Sequence, residues 1–300
     1  MGNQFKRIMA TAGLAAAILV GCGTEPTSYL DTGANLNIPD GIDPGNPKIE
    51  RTTYSIDFAG LRIIRVDIPT GRVSISQSLD GSSLLRVTET IISDGASRET
   101  MAKQLGESSV KAQRSFVDSS RLDLKADLSA DLSGSEIAFD IRLVIPFGVN
   151  VEIFAENAPV EIIDLVGNVE IQTGNGAVTL DNIVGSVVAR TSNRPIQARS
   201  ISGNVQLTTT EAAVSVRLEP APGSAVTIST SNAAIQLGIS RLTNAAFDLN
   251  STGGVISADL TGFTVADVTT GAGFLRGLLN GGGGRIEART SNAAIEFVGF

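Results

Sequence analysis

The 300-residue sequence has no histidine, no tryptophan, a single cysteine and only two tyrosines, and aromatic residues make up 4% of it. Each shortage removes a class of chemistry or of fold. Without histidine there is no Ser–His–Asp triad, no imidazole metal cluster and no histidine general base. One cysteine cannot close an intrachain disulfide, so stability must come from burial and backbone hydrogen bonds. A core poor in rings must be built from Val, Ile, Leu and Ala, which suits stacked strands better than a bulky sandwich interior. Positive charge is scarce too: 23 Lys and Arg stand against 31 Asp and Glu, a net of −8. Such a surface repels phosphate, so no nucleic-acid partner is expected. The 42% hydrophobic content, in turn, excludes a chain disordered throughout.

What is present begins with a targeting signal. Lys6 and Arg7 precede an apolar run over residues 8–20 that is too short for a comfortable bilayer span. It ends in Leu19-Val20-Gly21-Cys22, which resembles a bacterial lipobox. The resemblance implies a lipoprotein signal peptide over 1–21, cleavage between Gly21 and Cys22, and lipidation of Cys22 with palmitate-type chains. An ordinary signal peptide followed by a chance cysteine is the alternative. Each buried methylene adds about 0.8 kcal/mol, so several chains on one residue anchor stably to a membrane. Cleavage removes two basic residues and no acid, leaving 23 − 2 = 21 basic against 31 acidic, a net of −10. Gly23 stands where an Asp would suggest inner-membrane retention, which favours the outer membrane.

Residues 22–50 are rich in Gly, Pro, Asn, Asp and Thr and read as a tether. Its acids lack the ligand spacing and terminal Glu of a calcium loop. Residues 51–147 alternate: Ile64, Val66 and Ile68 face one way, as do Leu122, Leu124, Ala126, Leu128 and Ala130, and Ile137, Phe139, Ile141, Leu143 and Ile145. Period two predicts half-buried, mainly antiparallel strands. From Ser97 to about Lys111 the rhythm breaks, and Met101, Ala102 and Leu105 at helical spacing predict one short helix.

Residues 148–300 repeat. Gly167, Gly185 and Gly203 lie eighteen residues apart, each opening a unit with two alternating runs such as Val169/Ile171 and Val178/Leu180. A turn motif of the form Thr-Ser-Asn-x-x-[Val/Ile] recurs with its third position at Asn157, Asn175, Asn193, Glu211, Asn232, Thr252, Ala272 and Asn292. Thr230–Ile235 and Thr290–Ile295 are identical hexapeptides sixty residues apart. A unit this small cannot bury its own apolar face, whereas stacked units can, each strand pairing with its copy one unit away. The expected fold is all-β: a parallel β-helix-like solenoid of about eight coils, preceded by antiparallel strands with one short helix. An antiparallel meander with hairpins at the Asn turns is the competing geometry. Stacked Asn side chains at the turns can form a hydrogen-bonded ladder.

The pattern Gly-x-Val-x-Ile-x-Thr-x-Asn-Gly-x-Val-x-Leu resembles the bacterial putative-adhesin, or toastrack-type, β-strand repeat family, over about residues 54–300, with Val66–Ile75 as an early coil. The resemblance implies a single-stranded β-helix at the cell envelope and carries over no catalytic residue.

A search for chemistry finds little. Gly281–Gly284 lacks the Lys-[Ser/Thr] of a phosphate loop and reads as a turn. A carbohydrate-cleaving wall needs two converging acids, yet the columns set by the eighteen-residue step read Glu170-Val188-Gln206, Gln172-Arg190-Thr208 and Glu161-Thr179-Gln197-Ser215. Asp123, Asp127 and Asp131 are four residues apart, about 13 Å along a strand, too far for one cation; Lys125 and, across a hairpin, Arg142 are placed to neutralise them. No catalytic residue, cofactor or metal is expected. The reading is a lipid-anchored envelope protein acting through its surface as an adhesin-like binding or scaffold module. An accessory or sensor protein in envelope-stress signalling is the alternative, and a carbohydrate-active enzyme is disfavoured. Partners are the membrane and an unidentified protein or glycan; the open edge of the last coil (residues 295–300) must be covered by its own ending, by a second copy joined edge to edge or by a partner.

Overall fold

The computed structural model describes residues 48–93, 108–127 and 137–300. The signal peptide, Cys22 and the tether up to residue 47 lie outside the described residues, as do Leu128, Ala130, Asp131 and residues 97–107 of the expected helix. Ser109–Lys111, the end of that helix by the sequence reading, belong instead to a strand. Among the described residues there is no helix, and so none long and apolar enough to cross a membrane. The chain divides into two compact units between Ala158 and Pro159.

The first unit contains β1 (Lys48–Asp57), β2 (Ile63–Gln77), β3 (Leu84–Ser93), β4 (Ser109–Arg114), β5 (Arg121–Asp127), β6 (Ile137–Ile145) and β7 (Asn150–Asn157). The expected alternation is obeyed: Ile64, Val66, Leu122, Leu124, Phe139 and Leu143 are fully buried. One sheet joins β1 to β3 and β3 to β6 antiparallel, then β6 to the second half of β2 in parallel. The other joins β4 to β5 antiparallel, with β5 and β7 parallel to the first half of β2. β2 thus serves both sheets, as a coil does. It changes sheets at Gly71, where a Cβ would lie 2.2 Å from the Phe139 carbonyl oxygen, so only glycine admits the crossing. The placement of Arg142 departs from the sequence reading. It lies on β6 opposite Ser74 and Thr88, not across a hairpin from β5.

The second unit contains β8 (Val160–Val166), β9 (Val169–Thr173), β10 (Val178–Val184), β11 (Val187–Arg190), β12 (Ile196–Ile201), β13 (Val205–Thr208), β14 (Val214–Leu218), β15 (Ala225–Ser229), β16 (Ile235–Ile239), β17 (Ala245–Ser251), β18 (Ile256–Asp259), β19 (Val265–Gly271), β20 (Phe274–Leu279), β21 (Gly284–Thr290) and β22 (Ile295–Gly299). It is a solenoid of two facing sheets. Sheet B stacks β8, β10, β12, β14, β16, β22 and β18 in parallel. Sheet C stacks β9, β11, β13, β15, β21 and β17 in parallel, then β20 and β19 antiparallel. Inward Val, Ile, Leu and Ala fill the space between them, as the paucity of rings requires, with Val178, Ile196, Val214, Ile235 and Ile295 all at 0% exposure. The eighteen-residue glycine spacing has a steric cause. A Cβ on Gly185 would lie 2.2 Å from the Gly167 oxygen, and one on Gly203 2.1 Å from the Gly185 oxygen.

The order of stacking departs from the order of the sequence. Up to β16 each coil lies on the one before it. The coil β17–β18 then stands one level away, and the chain returns through the β19–β20 hairpin and Gly281–Gly283 so that β21–β22 slides between β15–β16 and β17–β18. Residues 295–299, expected at the open end, are therefore interior. Ala272, expected at a coil turn, is the tip of the antiparallel hairpin. The two identical hexapeptides are direct neighbours, with Ile235 opposite Ile295.

Candidate binding face

The recurring turn builds two ladders. The first is internal: the hydroxyl of Thr191 donates to the Gly176 carbonyl at 3.1 Å, Thr209 to Arg194 at 3.4 Å, Thr230 to Ala212 at 3.3 Å, Thr290 to Ala233 at 3.1 Å and Ser251 to Ala293 at 2.7 Å. Each level ties down the turn of its neighbour. The second ladder is external. Asn193 donates to Asn175 at 2.6 Å, Asn232 to Glu211 at 2.8 Å and Asn292 to Asn232 at 2.7 Å. Of the expected turn residues, the structure thus brings together Asn175 with Asn193, and Asn232 with Asn292. Asn157 lies at the end of β7, opposite Thr70. A third column, Asp164, Asn182 and Ser200, adopts φ of 55°, 55° and 52°, and Asn182 donates to Asp164 at 2.7 Å. These polar columns hold the corners of the coils.

The outward columns read as the sequence spacing gives them, Glu170-Val188-Gln206 in sheet C and Glu161-Thr179-Gln197-Ser215 in sheet B. Further along sheet C the intercalated order creates a constellation that no fixed step generates. Glu287 lies opposite Asp248, Asp248 opposite Arg276, Arg289 opposite Asn250, and Asn250 opposite Phe274. Arg285 is paired with Glu287, and Arg289 approaches the same carboxylate at 3.8 Å. Asp248 accepts from Arg276 at 2.9 Å and from Asn250 at 2.6 Å. The Arg276 guanidinium also stands 5.1 Å from the centre of the Phe274 ring, which lies over the bare backbone of Gly271. Three guanidiniums against two carboxylates leave one net positive charge on this face of an acidic protein. The sequence reading missed it because its residues come from β17, β20 and β21, which are not stacked in chain order.

The first unit carries a cluster of the same ingredients. Arg65 lies 4.0 Å from the centre of the Phe154 ring, Arg121 pairs with Asp123 at 2.8 Å and donates to the Ser115 hydroxyl at 3.0 Å, and both arginines stand 3.9 Å from Glu152. The side chains of Arg65 and Arg121 are 32% and 21% exposed, whereas those of Arg276, Arg285 and Arg289 are 56%, 67% and 58% exposed. The first cluster is closed on itself. The second presents its cations to solvent.

Neither cluster has the geometry of a hydrolytic pair, since each acid is held by arginine. Burial pushes the carboxyl of Asp140 above the usual range, with Arg72 pulling it back, as a general acid requires. Its cross-strand neighbours, however, are Arg72 and Thr90, not a second acid. Asp127 is paired with Lys111, and no group of three metal-ligating side chains occurs among the described residues.

No family model matches the chain, and no curated protein matches it. Solved structures do. A "putative cell adhesion protein" from Clostridium sporogenes is 13% identical over 85% of this chain and 100% of that one, with a TM-score of 0.32. A "putative adhesin" from Bacteroides fragilis is 11% identical over 85% of this chain and 99% of that one, with a TM-score of 0.26. A "putative lipid binding protein" from Parabacteroides distasonis is 12% identical over 85% of this chain and 94% of that one, with a TM-score of 0.25.

Proposed function

We propose that this protein is a non-catalytic, adhesin-like binding module of the cell envelope, lipid-anchored through Cys22 at the outer membrane, which meets acidic ligands through the arginine face of the second unit. The observation that carries the reading is the contrast in exposure between this cluster and that of Arg65 and Arg121 in the first unit. A structural ion-pair network draws its cations in, as the half-buried Arg65 and Arg121 show. Guanidiniums left more than half exposed beside a ring and an amide are suited to carboxylate or sulfate groups, which they can grip through two parallel hydrogen bonds. A flat sheet face suits a glycan chain or a protein surface. The lipobox-like Leu19-Val20-Gly21-Cys22 supports the anchor.

The test has two arms. Protease shaving of intact cells should remove the protein while periplasmic controls survive; full protection, with the purified protein cut under the same conditions, would move it to the periplasm. Arg276→Ala combined with Arg289→Ala should abolish binding of the purified chain to arrayed uronate- or sulfate-bearing glycans, and wild-type binding should fall with added salt. Equal binding by the variant would remove this face from the reading.

A further inference from the structure

Sheet C of the second unit runs two strands further than sheet B. β17 and β18 both border the coil β21–β22 and so stand at the same level. Beyond β17 come β20 and then β19, while beyond β18 no strand follows among the described residues. The end of the stack is a step whose recess leaves inward side chains half-exposed, with Phe263 reaching to 6.2 Å from the Phe297 ring. Ile256 and Ala258 occupy the inward positions of Ile295 and Phe297, which are 0% exposed, yet both are half-exposed, as are Leu260, Val265 and Leu275. Val255 and Val268 on the two sides of the step are 73% and 50% exposed. Proline and lysine, the residues that guard free strand edges, are both absent from residues 252–280.

We propose that this step is filled by the step of a second copy of the chain in a two-fold dimer. A two-fold axis lying between the sheets and parallel to the strands places sheet B of one copy in line with sheet C of the other. The recess beyond β18 is two strands wide, and what enters it is the two-stranded overhang β20–β19 of the second copy. The same operation fills the second copy's recess with the first copy's overhang. Strand direction agrees as well. A coil places one strand in each sheet, so B and C strands run oppositely, and β19, twice reversed from β17, runs with the C strands. β19 of the second copy therefore meets β18 antiparallel, the stronger pairing mode. The bulge between Ala266 and Thr269 leaves Thr269–Gly271 as the regular part of β19, a length suited to the four residues of β18. A single foreign strand would fill one of the two vacant positions and leave an edge. The isologous contact closes both at once.

The inference rests on the fold of the second unit and not on what the arginine face binds. The experiment is sedimentation of the mature chain, residues 22–300 carrying Cys22→Ser, at about 100 μM, a hundredfold above a dissociation constant of roughly 1 μM. The expected mass is twice that of one mature chain. Val268→Lys and Val255→Lys, at exposed positions on opposite sides of the step, should each give monomers with unchanged circular dichroism. A monomeric wild type would overturn the proposal, and so would a dimer that survives both lysines.

Discussion

In the second unit, residues 160–239 stack in the order of the chain, whereas residues 245–299 do not. Both stretches use the same inward aliphatic pattern, the same hydroxyl ladder and the same close backbone contacts at glycine. The difference lies in which coil is next to which. In the first stretch each level meets copies eighteen or twenty-one residues away. In the second, the coil of 284–299 separates two coils that follow one another in sequence. A repeat motif therefore specifies the shape of a coil and its inward face, but leaves the order of stacking to the turns and caps. The turn at Thr252-Gly253-Gly254-Val255 lacks the amide that Asn232 and Asn292 supply. That coil is placed beyond the end of the amide ladder, and its strand β17 is covered by an antiparallel hairpin in place of another coil. Core filling follows the same logic. Phe297 of the intercalated coil stacks on Phe247 at 5.9 Å and lies 6.2 Å from Phe263, a ring cluster at levels where the ordered stretch has only aliphatic side chains.

The comparison is broken most severely by truncation. If the last coil were terminal, ending the chain at Asn280 would remove one level and leave the rest intact. In the observed order it removes the parallel partner of β17 and the one strand paired with β18 among the described residues. Amides of residues 245–279 should then exchange with solvent at nearly unprotected rates, while those of 160–208 keep their protection. Retained protection over 245–279 would refute the intercalated order.

The next effect is steric. Gly185→Ala places a Cβ 2.2 Å from the Gly167 oxygen, and Gly254→Ala places one 2.0 Å from the Ala293 oxygen. Each should lower stability by about 3 kcal/mol in denaturant unfolding, the upper range for overpacking. Chain-order stacking would set Gly254 against the equivalent Ala233 oxygen, so this substitution tests the close backbone contact and not the order of the coils. Gly223→Ala, with nothing within 4 Å and a φ of 80°, isolates the conformational cost alone.

Loss of a single ladder hydroxyl is smaller. Thr191→Val removes the donor to Gly176, and Thr290→Val the donor to Ala233. Each should cost about 1 to 2 kcal/mol, because a buried carbonyl loses a partner. Similar penalties in the two stretches would show that both use the threonine in the same way. A negligible effect of Thr290→Val alone would mean that the second stretch is held by other contacts.

Much of this was legible in the sequence. Alternation gives the inward residues of nearly every strand, the glycine spacing gives the early coils and their outward columns, and the Asn-bearing turns mark the corners. The stacking order was not legible, because any two coils with matching turns can be neighbours, and the sequence alone does not rank a contact at sixty residues against one at twenty. The arginine face was hidden for the same reason, since Asp248, Arg276 and Glu287 converge only once β21 has slid beside β17. The identity of residues 230–235 and 290–295 was the available clue: two turns that must match atom for atom are the ones in contact. The end expected for the helix, at Ser109–Lys111, is strand on different grounds. Ser109–Arg114 contributes Val110, 1% exposed, to a sheet, and that burial outweighs a local helical spacing.

The smallest effect discriminates most finely. Asn292 donates to Asn232 at 2.7 Å on the exposed side of the turns, so either residue changed to Ala should cost only about 0.5 to 1 kcal/mol. The informative quantity is the coupling between them. In a double-mutant cycle Asn232→Ala and Asn292→Ala should fall short of additivity by a few tenths of a kcal/mol or more, because the first substitution already removes the bond that the second would break. Asn232→Ala and Thr252→Ala, twenty residues apart, should add within about 0.5 kcal/mol, the limit for sites with no shared partner. Chain-order stacking predicts the reverse, coupling at twenty residues and independence at sixty. Both pairs use exposed side chains whose removal leaves the core intact, so neither result can be attributed to general loosening of the coils.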